Sequence, residues 1–71
     1  MNRYQMRKAK LIAATMVLAA AQSENVPMTQ LALLASRMDE AQWRGVSFQA
    51  GVAVADAPAR ILVVALLGRL A

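Results

Sequence analysis

Seven consecutive apolar residues, Ile61 to Leu67 (ILVVALL), most limit what this chain can fold into. In a helix such a run covers every face, so it cannot simply bury one stripe and solvate the rest. Upstream, Asp56 is a good N-cap and Pro58 suits a first helical turn. A last helix ending near Leu70 is therefore expected. The β-branched content of the run also permits a strand, which would change the fold class. Either form needs apolar surface to pack on, and one face of the helix is expected against the run Leu11 to Ala21 (LIAATMVLAAA). The other faces would be exposed in a monomer, and large exposed apolar patches mark interfaces. Ile61, Val64, Leu67 and Leu70, with Leu33, are thus the expected contact with a second copy or a partner protein. Burial of the run in a compact core is the plainer alternative.

The first run predicts a helix from about Gln5 to Gln22, with Leu11, Thr15 and Leu18 on one side and Ile12, Met16 and Ala19 beside them. It is too short to cross a bilayer, which takes about 20 apolar residues. Arg3, Arg7, Lys8 and Lys10 precede it, and Ala19-Ala20-Ala21 before Gln22 imitates a signal-peptidase site. A secretory signal over residues 1–21 is therefore the alternative to a cytoplasmic protein. Ser23 to Pro27 is the first break, built from turn residues.

Thr29 to Phe48 (TQLALLASRMDEAQWRGVSF) reads as helix, sharp turn and short helix. Leu31, Leu34, Ala35 and Met38 share one helical face. Thr29 is the candidate cap, and Pro27 lies just upstream. Leu33 falls on the opposite face, beside Arg37. Asp39 then starts a new helix, and Gln42 is placed to complete a capping box. Trp43 and Val46 should face inward, and Ala41, Arg44 and Gly45 outward. Gly45 is expected to end or fray this helix, because glycine weakens helix interiors by about 1 kcal/mol.

These twenty residues resemble the helix-turn-helix of lambda-repressor and Cro-type proteins. Gln30 opens the first helix, Ala35 is the small residue at the helix crossing, and Met38 and Phe48 fall at apolar positions. Asp39 replaces the usual turn glycine, Glu40 an apolar residue, and Gly45 a β-branched core residue. The resemblance implies a DNA-binding transcriptional regulator, usually a dimer, whose second helix enters the major groove. Gln42 and Arg44 would then read base edges, by bidentate bonds to adenine and guanine. Arg3, Arg7, Lys8, Lys10 and Arg37 would meet phosphates. Asp39 and Glu40 at the leading end of that helix oppose this. The competing expectation is a protein-binding regulator that docks on a larger machine, such as the transcription apparatus, through its basic arm and apolar surface.

Val46 to Ala55 alternates like a strand, and Gly51 could turn a hairpin, although a loop with a short additional helix is preferred. The expected fold is all-α, a four- to five-helix single domain over residues 1–71 with a basic arm at 1–10. The alternative is α+β with a hairpin at 46–55. The charge of +4 comes wholly from the first ten residues, since residues 11–71 balance four bases with four acids. Such a patch suits phosphates, anionic lipid or an acidic protein surface. The chain has no cysteine and no histidine, which removes disulfides, the usual zinc sites and histidine acid/base chemistry. Glu24, Asp39, Glu40 and Asp56 are scattered and the glycines isolated. No catalytic residue, metal, cofactor or small-molecule substrate is expected.

Overall fold

The computed structural model describes residues 2–22 and 26–70, less the side chain of Met28. Among them the chain is all-α: α1 (Arg3–Gln22), α2 (Leu31–Arg37), α3 (Glu40–Gln49) and α4 (Ala57–Leu70), with a 3-10 turn at Met28–Gln30 and no strand. Helix α1 starts at Arg3 rather than Gln5. Asn2 is its cap, with the Gln5 N–H donating to Asn2 Oδ1 at 2.8 Å. The break at residues 23–25 lies outside the described residues.

Helices α1 and α4 form the main seam. The inner stripe of α1 is Ala9, Ile12, Ala13, Met16 and Ala20, and that of α4 is Ala59, Leu62, Val63 and Leu67. Alanine on α1 lets the larger residues of α4 approach closely. The choice of stripe corrects one expectation and decides which side of α1 is inner. Leu67, expected at an interface, is 0% exposed, because it continues the inner row of Ala59 and Val63. Leu11, Leu18 and Ala19 face outward, while Ile12 and Met16 are in the core. Asp56 caps α4 by accepting the Ala59 N–H at 2.8 Å. Its other oxygen accepts the Lys8 ammonium at 2.8 Å, so the start of α4 is pinned to α1.

Helix α2 packs on α4 and α3 on α1. Thr29 does not cap α2. It lies in the 3-10 turn, closed by Gln30 N–H to the Pro27 carbonyl at 3.0 Å, and α2 has no side-chain cap. Leu31 and Ala35 carry the burial of α2, which leaves Leu34 exposed.

The restart at Asp39 forms as the capping box expected. Gln42 N–H donates to Asp39 Oδ1 at 2.8 Å, and Asp39 N–H to Gln42 Oε1 at 2.9 Å. Trp43 is buried, Val46 half-buried, and Ala41, Arg44 and Gly45 exposed. Gly45 neither ends nor frays α3, which runs on to Gln49. A cap contributes about 1 kcal/mol, similar to the glycine penalty, and burial of Trp43 adds to it. The stop comes at Gly51. Its φ of +79° is the left-handed conformation that favours glycine. Gly51 N–H donates to the Phe48 carbonyl at 3.0 Å and Val52 N–H to the Ser47 carbonyl at 2.8 Å, the Schellman pattern. Gly51 thus ends a helix rather than turning a hairpin, and the strand-like alternation of 46–55 divides into helix end and loop with no additional helix.

Candidate functional site

The placement of the basic residues is governed by where the acids are already engaged. Asp39 accepts the backbone of its own helix. Glu40 pairs with Arg60. Asp56 holds Lys8 and the Ala59 N–H, and both hydrogen bonds keep its carboxyl below the ordinary value of 3.8. Lys8, expected to meet phosphate or an acidic partner, is therefore committed inside the fold, with its side chain 12% exposed and its ammonium 4.3 Å from the Tyr4 ring centre. Arg3, Arg7, Lys10, Arg37, Arg44 and Arg69 are exposed and form no ion pair among the described residues.

Three of these form a row. Arg3, Arg7 and Lys10 lie at i, i+4 and i+7 on α1, along about 10 Å of helix. With Met6 and Leu11 they line a shallow hollow. Lys10 also borders a second hollow of about 450 Å³, floored by Ala13, Ala14, Val17, Leu66 and Leu70 and flanked by Arg69. Lys10 joins the two into one surface: four cations, without an ion-pair partner among the described residues, around an apolar floor shared by α1 and the last turns of α4. Arg69 had no place in the sequence expectations. It comes to this surface only because α4 packs on α1.

The other expected site residues lie elsewhere. Arg37 ends α2, and Arg44 stands on the outer face of α3 between the small residues Ala41 and Gly45. The side-chain oxygen of Gln42 is held in the capping box. Phe48, expected at an apolar position, is 83% exposed. Among the expected interface residues Leu33, Ile61 and Leu70 are exposed, with Ile61 at 63% and Leu70 at 59%, and Val64 is half-buried. A separate apolar groove of about 230 Å³ opens among α1, α2 and α3, lined by Met16, Leu31, Leu34, Met38 and Val46 with Gln49 at its edge.

Arg60, like Arg69, is a residue whose role the sequence does not signal. It bonds Glu40, donates to the Met38 carbonyl at 3.0 Å where α2 ends, and lies 4.9 Å from the Trp43 ring centre. One guanidinium thus ties α4 to the α2–α3 turn. No local pattern announces this, since its partners are about twenty positions away. Comparison of the chain with protein-family models, curated proteins and solved structures finds no match.

Proposed function

We propose that this chain is a small, non-enzymatic regulatory protein that docks on an acidic surface of a larger protein assembly in the cytoplasm. The observation that carries this reading is the row Arg3, Arg7 and Lys10, unpaired within the described chain, beside an apolar hollow. Exposed ion pairs contribute about 0.2–1 kcal/mol each, so the cations serve mainly to steer association. The hollow and the exposed leucines supply the anchor. Capture from nuclease-treated host extract tests the reading. An Arg7→Glu/Lys10→Glu variant should lose a partner that the parent chain retains, with an unchanged melting temperature. Retention of the same partner by that variant would sink this use of the surface.

A second reading, a DNA-binding transcriptional regulator of helix-turn-helix type, is favoured by Arg44, exposed between two small residues on a well-capped helix. It is ranked lower because Gln42 is engaged at the cap and Arg44 is the one basic residue on α3. It predicts affinity for duplex DNA with a log–log salt slope of about −0.9 per phosphate contact, and loss of sequence preference in Arg44→Ala. Self-association is proposed through Leu33 and Ile61 with the half-buried Val64, on the side of α4 away from Leu70. Sedimentation velocity over a concentration series should show a monomer–dimer shift that Ile61→Asp removes.

A further inference from the structure

Building on the docking function just proposed, we infer that the surface shared by α1 and the end of α4 is the seat for a single acidic amphipathic helix of a foreign protein. The row Arg3, Arg7 and Lys10 has the spacing of one helical face. Acidic residues at i, i+4 and i+7 of a partner helix present the same steps, so the two rows match in register when the helices lie side by side. Beyond Lys10 the same face of α1 changes character. Leu11, Ala14 and Leu18 continue it, all exposed, and beside Ala14 the surface dips into the hollow bounded by Val17, Leu66 and Leu70. A helix that is acidic in one half and carries large apolar side chains in the other fills both parts at once. Arg69 closes the far side of the hollow, where it meets any acid flanking the apolar segment.

Charge decides against a second copy as the occupant. Asp39, Glu40 and Asp56 are each engaged within the chain, and the single remaining acid, Glu24, cannot answer four cations. Shape decides against a lipid surface, because a bilayer is flat at this scale and leaves a hollow between α1 and α4 unfilled. A nucleic acid backbone answers the cations but leaves Leu11, Leu18 and Leu70 facing water.

The test uses the full chain and an 18-residue helical peptide built from Glu, Leu and Ala. Its glutamates lie at i, i+4 and i+7 in one half, and leucines occupy the same face in the other half. Fluorescence anisotropy of the labelled peptide is measured against the chain in low and high salt. Binding that weakens with salt is expected. Arg7→Glu/Lys10→Glu should weaken it at least tenfold, as should Ala14→Trp, which fills the hollow. Leu18→Ser supplies a second, milder change on an exposed position, and Arg44→Glu should leave binding unchanged. A peptide of identical composition with its glutamates spread around the helix is the control. Equal binding of both peptides would overturn the helical seat while leaving a general acidic docking surface intact. Binding of neither peptide, with uptake of duplex DNA or of phosphatidylglycerol vesicles sensitive to the same substitutions, would overturn both the seat and the docking function.

Discussion

Helices α1 and α4 are held together by burial, whereas α3 is held by polar and local devices. Along the α1–α4 seam Ala9, Ile12, Ala59, Val63 and Leu67 are each 0% exposed, and among the described residues its one ion pair is Lys8–Asp56 at its start. Helix α3 buries Trp43 and Ser47 and depends on the Asp39–Gln42 capping box, the Gly51 stop and the grip of Arg60. It even tolerates an interior glycine. The difference has a functional side. The seam offers a well-buried platform whose outer face carries the cation row, while α3 is attached by bonds that can be removed one at a time.

The sharpest way to break the comparison is to open the seam. Leu67→Ala deletes a wholly buried side chain and should destabilise by about 2–5 kcal/mol in urea unfolding, enough to lose much of the folded population in a chain of this size. Loosening α3 should have a smaller and more local effect. Arg60→Ala removes the Glu40 pair, the bond to the Met38 carbonyl and the contact with Trp43, for about 1–3 kcal/mol in sum. Hydrogen exchange should then quicken in α3 and the α2–α3 turn well before α1 and α4; uniform loss of protection would contradict separate attachment of α3.

Two substitutions should strengthen the weaker region. Among the described residues the buried Ser47 hydroxyl has no hydrogen-bond partner, as is also true of Trp43 Nε1. Ser47→Ala removes an unsatisfied polar group of similar size and should stabilise by about 1 kcal/mol. At Gly45 no described atom outside its own stretch of helix lies within 4 Å of an added Cβ, so Gly45→Ala should stabilise by about 0.5–1 kcal/mol through helix propensity alone. Differential denaturation of each variant against the parent chain reads both.

The smallest expected effect lies at the polar end of the seam. Lys8 and the Ala59 N–H lower the pKa of Asp56 in the folded chain below 3.8. The unfolded chain therefore takes up its proton first as pH falls. The contribution of Asp56 is fully present well above pH 3.8 and is lost as pH drops through the folded value. Lys8→Met should flatten this acid limb of the stability curve while leaving the neutral-pH fold in place.

Much of this architecture could be read in advance where its cause is local. The Asp39–Gln42 box and the Asp56 cap are i, i+3 relations, visible in the order of residues alone. The outward placement of Ala41, Arg44 and Gly45 followed from helical periodicity once the start of α3 was known. The cation row on α1 was visible as four nearby bases, but not the loss of Lys8 from it. Asn2 and Gly51 carry local signals for a cap and a helix stop, which the basic arm and the expected additional helix at 46–55 obscure.

By itself the sequence determined where the second half of the chain starts and restarts its helices, and that its excess charge lies at one end. These follow from propensity, capping and composition, which act over a few residues. Only the tertiary structure decided which stripe of an all-apolar α4 turns inward, so that Leu67 is core while Ile61 and Leu70 are surface. It alone chose Lys8 for Asp56, brought Arg60 to Trp43, and carried Arg69 to the cation row. A run apolar on every side contains no preference among its own faces, and an ion pair or a stacked guanidinium depends on the distance between helices. Both are set by how α4 lies on α1.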